Sequence, residues 1–159
     1  MNVNVSISGV DELIANLTAC RTGLAQKTNE LCERLAAYGL TLVNASYDGA
    51  IYEGEKDVNV YAEQMENGFR IVAEGMTVLI LEFGAGVTYG YGHPQPLQYG
   101  PGTYPSTKGN WDNPNGWHLP KSKGGAHTYG NAPSITMYNT FQDLQAEVER
   151  TAREVFGVS

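Results

Sequence analysis

Glu82 closes an apolar run, Val78-Leu79-Ile80-Leu81, and a carboxyl group in that position is a candidate for burial. Burial disfavours the charged form, which is one way a general acid or base is tuned. His93, His118 and His127 are the imidazoles that could join it, as proton carriers or zinc ligands. Their spacings of 25 and 9 residues are unlike the tight pairs on one helix, or the cysteine pairs in loops, that zinc sites use. No second acid or nucleophile stands at a meaningful spacing from Glu82. The residue types therefore favour a buried or interface carboxylate accepting backbone N–H bonds, with loop histidines making hydrogen bonds. A metal-dependent hydrolase built on these four groups is the weaker reading. The run Gly84-Ala85-Gly86-Val87-Thr88-Tyr89-Gly90 has the wrong spacing for a dinucleotide loop, and no helix follows it to complete a phosphate site.

All three histidines fall in one stretch, residues 84–132, together with both tryptophans, six of the seven prolines and eleven of the nineteen glycines. Disordered segments are poor in aromatics, and this one is rich in them. Tyr89, Tyr91, Tyr99, Tyr104, Trp111, Trp117 and Tyr129 are interleaved with glycine and proline. Such residues bury large area at little entropic cost, so the stretch reads as a contact arm that becomes ordered against a partner. Sugar stacking by the same rings is a second reading, and a self-packed loop a third. Asp112-Asn113-Pro114-Asn115-Gly116 is turn chemistry between the tryptophans.

The chain of 159 residues carries a net charge of −7, which argues against a dedicated nucleic-acid binder. Lys108, Lys121 and Lys123 against Asp112 make the arm +2 and leave −9 on the body, a polarity that suits head-to-tail contact between copies. No apolar run approaches a membrane span, and no signal peptide is evident. Cys20 and Cys32, about 18 Å apart on one helix, are expected as free thiols, one or both in the core.

The elements that must carry these residues are legible as periodicities. Ser8-Gly9-Val10-Asp11 reads as a capping box. Leu13, Leu17, Cys20, Leu24, Leu31, Leu35, Tyr38 and Leu42 then mark one face of a helix reaching Tyr47. At about 36 residues and roughly 54 Å it overhangs a domain about 40 Å across, unless it breaks at Gly39 and folds back. Alternation predicts strands at 56–64 and 68–73 with a turn at Asn67-Gly68, and the apolar run at 77–83 is read as a third strand. Met137, Phe141, Leu144, Val148, Ala152 and Val155 mark a last helix over 134–156, with Pro133 suited to its first turn and Gly157 to its stop. The expected fold class is α+β: a long helix, a three-stranded antiparallel meander, a long loop, and a C-terminal helix packed on the sheet. The whole is expected as one domain, 1–159.

Leu81-Glu82-Phe83-Gly84-Ala85-Gly86 resembles the "EFGTG" signature of a phage neck and tail-completion protein family. Gly116-Trp117, His127-Thr128-Tyr129-Gly130 and the stretch from Ala132 to Tyr138 resemble further elements of that family, in the same order. Ala85 stands where threonine is usual, Ser134-Ile135 precede Met137-Tyr138 in place of the usual residues, and Asn139 replaces a proline. The resemblance implies a non-enzymatic virion protein of a tailed bacteriophage, made in the host cytoplasm. It implies a homo-oligomeric ring, six- or twelve-fold, at the head–tail junction. The implied partners are portal-side connector proteins and a tail terminator or tail tube, with DNA passing through the lumen without specific contact. Glu82, Phe83, Gly84 and Gly86 are its signature residues, the glycines expected to permit close backbone approach. The aromatic residues named above, with His127, Met137 and Tyr138, are the expected subunit or partner interface. No cofactor, metal or catalytic residue is expected, and a glycan-binding module is the alternative function.

Overall fold

The computed structural model describes residues 9–52, 54–86, 93–94, 113–119, 121 and 124–157. Val10–Gly49 form one unbroken α-helix, α1, of 40 residues and about 60 Å. Gly9, at φ 90°, is its cap, and its carbonyl accepts the Leu13 N–H at 3.1 Å. The expected cap, Ser8, lies outside the described residues. Gly39 does not break the helix. A Cβ there would stand 2.3 Å from Ile71 Cδ1 and 3.1 Å from Leu144 Cδ1, so the bare backbone admits both neighbours.

Asn59–Met65 (β1) and Gly68–Glu74 (β2) pair antiparallel from Asn59 opposite Glu74 to Met65 opposite Gly68. The two-residue loop is therefore Glu66-Asn67, one residue earlier than the Asn-Gly dipeptide suggests. The alternation read in the first strand is real: Val60 and Ala62 turn inward, and Asn59, Tyr61 and Glu63 outward.

The third strand does not form. Val78–Phe83 is a short helix, α2, so the meander is a two-stranded hairpin followed by a helical turn. A brief all-apolar run has no periodicity to separate a buried strand from a buried helix. Asp57 decides the matter by organising the turn. Its carboxylate accepts the Met76 N–H at 2.7 Å, the Thr77 N–H at 2.8 Å and the Thr77 hydroxyl at 2.5 Å. Leu81 N–H then donates to Thr77 O at 2.9 Å and closes the first helical turn.

These bonds, the Thr77 hydroxyl first, lower the Asp57 pKa to about 2. A depressed carboxyl pKa stabilises the fold above the unfolded-state value near 4, and that contribution is lost as pH falls toward 2. Asp57→Asn is therefore expected to be less stable than the parent at pH 7. The gap should close as urea titrations are repeated down to pH 2; a gap independent of pH would refute the assignment.

Thr136–Phe156 form α3, antiparallel to α1. Ser46 and Thr136 hydroxyls meet at 2.7 Å at one end, and Lys27 Nζ donates to Phe156 O at 3.3 Å at the other. Arg34 and Glu154 pair at 3.7 Å between them. The expectation that α3 lies on the sheet is corrected: its main partner is α1, with α2 at its start. Gly157, at φ 68°, ends it as expected, but Pro133 precedes the helix rather than opening it.

The core is Val43, Tyr47, Val78 and Leu81, ringed by Val58, Val60, Ile71, Ala73 and Met137. It thus joins the C-terminal half of α1, the inner hairpin face, α2 and the start of α3. Residues 10–26 of α1 run about 25 Å past the end of α3 and are exposed almost throughout. Cys20 is exposed and Cys32 half-buried, both free thiols, so neither belongs to the core proper.

Candidate functional site

α3 begins without a side-chain cap of its own. Its N-cap, Ile135, is the one described non-glycine residue with positive φ, at 56°. A β-branched residue there costs about 1–3 kcal/mol, so the surroundings must hold it. Two sets of bonds do. Ser134 N–H and Oγ–H both donate to Leu81 O, at 2.6 and 2.9 Å. The Ser134 hydroxyl also lies 2.9 Å from that of Thr136, which meets Ser46 from α1.

Glu82 supplies the missing cap from α2. Its Oε2 accepts the Met137 N–H at 2.8 Å and its Oε1 the Tyr138 N–H at 3.1 Å. These are orphan donors of the first turn, and the carboxylate also meets the positive end of the helix dipole. His93 Nε2 lies 3.3 Å from Oε1, and the Tyr47 hydroxyl donates to Oε2 at 3.5 Å. Burial pushes the Tyr47 phenol pKa well up, and the neighbouring Glu82 adds to it. His93 is held between rings, with centroids 4.4 Å from Phe83 and 5.7 Å from Tyr138. Both Glu82 oxygens thus have two protein partners each. This is the arrangement of a structural anchor between helices, the backbone-accepting carboxylate that the sequence favours.

Beyond Phe83 the chain turns into a backbone clamp. Ala85 and Asn131 exchange two N–H···O bonds, at 2.8 and 2.9 Å. The glycines around them touch backbone. A Cβ on Gly84 would stand 2.8 Å from Asn131 O, on Gly86 2.3 Å from Tyr129 O, and on Gly130 1.8 Å from Ala85 O. The close approach expected of the signature glycines is therefore present, and Gly130 is its third member.

The described part of the arm holds a small hairpin that the reading as a loop missed. Trp117–His118 (β3) pairs with His127–Thr128 (β4), and Leu119 N–H donates to Ala126 O at 2.8 Å. Two-residue strands are too short for alternation to show. The turn chemistry before it is real, with Asn113 Oδ1 accepting Asn115 N–H at 3.0 Å. His118 and His127 face each other with rings 4.9 Å apart. Each residue of the His127–Gly130 segment has a contact. His127 Nε2 lies 3.0 Å from Asn115 O and its ring stands against Tyr129; Thr128 Oγ1 accepts Gly130 N–H at 3.1 Å; Gly130 closes on Ala85.

The structure thus groups Glu82 with His93 and pairs His118 with His127. Among the described residues no three His, Cys, Asp or Glu side chains converge to hold a metal. Of the expected interface residues, Trp117 is half-buried, His127 and Tyr129 are exposed, and Met137 packs on the core while Tyr138 is half-buried. Tyr89, Tyr91, Tyr99, Tyr104 and Trp111 lie outside the described residues. Sequence reasoning missed Ser46, Tyr47 and Ser134 as parts of the site. Tyr47 shows only as the last apolar position of a helix, and the two serines carry no local signal.

Comparison with protein-family models, curated proteins and solved structures finds no match for this chain.

Proposed function

We propose that this protein is a structural part of a tailed-bacteriophage virion, a neck component that forms a ring joining the head connector to the tail. One observation supports the reading above others. The segments that resemble the neck family are far apart in the chain, yet they meet in a single unit. Glu82 caps the helix that begins after Ala132, and Gly84–Gly86 clasp Tyr129–Asn131. A motif whose residues all serve to anchor the base of an arm suits a part that makes contacts rather than one that turns over substrate. No described helix is long and apolar enough to cross a membrane.

In this reading the body forms the ring and the aromatic arm reaches a neighbour or an adjacent ring. The test is gold labelling and mass spectrometry of purified particles, with a deletion of residues 90–125 alongside. The clamp residues, Glu82 and the two N–H groups it caps flank that deletion, which takes only His93 from the Glu82 partners, so the helical signal of the body should persist while particle completion is lost. Absence of the protein from finished particles would end the neck reading, and infectious particles carrying the deletion would end the arm's part in it.

A further inference from the structure

Two apolar surfaces of this chain lack cover among the described residues, and both lie along α1. The first is the overhang, where Val10, Leu13, Ile14, Leu17 and Leu24 are 44–61% exposed. The second is a groove of about 460 Å³ between α1, the hairpin tip and α3, walled by Leu35, Phe69, Ile71, Phe141, Leu144 and Val148. Phe141 and Val148 are themselves exposed. Steps of three and four, with one of seven from Leu24 to Leu31, carry the stripe from Val10 through Leu17 to Leu35, so one helical face leads from overhang to groove.

We propose that the overhang of one copy lies in the groove of a second copy. Three observations select this occupant. The lengths agree: the stripe from Val10 to Leu24 spans about 21 Å, and the α3 wall from Met137 to Val148 about 17 Å. The area suffices. If each copy both gives an overhang and receives one, a strip about 11 Å wide and 40 Å long is covered per copy. That is on the order of 450 Å² in projection, and accessible area exceeds projection, approaching the roughly 600–1,000 Å² per partner of specific interfaces. Third, the charge opposes a lipid surface: residues 10–26 hold Arg21 alone against Asp11 and Glu12, whereas interfacial helices carry basic polar faces.

The cysteines report the contact. Cys20 sits on the overhang and Cys32 lines the groove. The inference deepens the ring reading and rests on it for its biological setting. Self-association through these residues would stand even if the protein were absent from particles, so the two fail separately.

The test is sedimentation velocity of the full chain and of two double variants, Leu17→Asp/Leu24→Asp on the overhang and Phe141→Asp/Val148→Asp on the groove. All four positions are exposed, so helix content should be unchanged by circular dichroism. Association is expected in the parent and weakened roughly tenfold or more in each variant, since each removes two large apolar groups from a contact. A short thiol cross-linker should join Cys20 of one copy to Cys32 of the other, with the link lost in Cys20→Ser and in Cys32→Ser. A monomeric parent, association untouched by either variant, cross-links only between like cysteines, or flotation with anionic vesicles by a monomer would each overturn the proposal.

Discussion

Replacing Glu82 with alanine is expected to cost about 3–5 kcal/mol of stability, because it takes a charged acceptor away from several buried donors at once. The Glu82 side chain is buried and serves four groups: the N–H of Met137, the N–H of Tyr138, His93 and the Tyr47 hydroxyl. A hydrogen bond to a charged group contributes about 1.5–3 kcal/mol, and a buried donor left without a partner loses about 1–3 kcal/mol. The loss falls where α3 has no other cap and where Ile135 is already strained, so nothing nearby can take over. Glu82→Gln should fall between, because one amide oxygen can accept while the amide NH2 turns toward a second donor. Urea midpoints read the size of the effect, and amide hydrogen exchange at Met137 and Tyr138 reads its place. If Glu82→Ala lies within 1 kcal/mol of the parent, the carboxylate is not the cap that the geometry describes.

Gly130→Ala is the second large effect, expected at about 2–4 kcal/mol. The new Cβ would meet Ala85 O at 1.8 Å and its carbonyl carbon at 2.6 Å, and both are backbone atoms that no rotamer can move. Relief requires breaking the Ala85–Asn131 pair, two hydrogen bonds at about 1 kcal/mol each. The φ of 114° adds the cost of a left-handed conformation for a residue with a Cβ, about 1–2 kcal/mol. Gly124→Ala separates the two contributions. It has φ 91° but open space around it, so it should show only the conformational part. Thermal unfolding followed by tryptophan fluorescence, with Trp117 in the arm hairpin, compares them. Equal losses in the two variants would mean that the clamp adds nothing beyond backbone conformation.

Both effects concern residues that stand out in the sequence for different reasons. Glu82 is visible because a carboxylate follows an apolar run. What it binds is not visible, since its donors lie 55 and 56 positions away. The glycines of the Gly84–Gly86 turn are visible as a cluster, but Gly130 becomes part of the same clamp only when the chain returns at Asn131. The histidines show the converse. Their linear spacing gives no hint that His118 and His127 are cross-strand neighbours, because a hairpin turns a separation of nine into a direct facing pair.

What the residues determined alone were the local periodic elements. The long helix, the two alternating strands and the last helix each repeat an apolar pattern over enough positions to outweigh noise. The overhang too was readable, as a helix longer than its own domain. Tertiary structure decided what short segments could not. Val78–Phe83 carries no periodicity, and the Asp57 carboxylate, reaching over from before β1, turns it into a helix rather than a strand. Gly39 could have been a hinge. It is a contact point because Ile71 and Leu144 arrive there from other elements. The packing of α3 along α1 and the cap on its first turn were settled by partners distant in sequence, and local pattern carries no information about such partners.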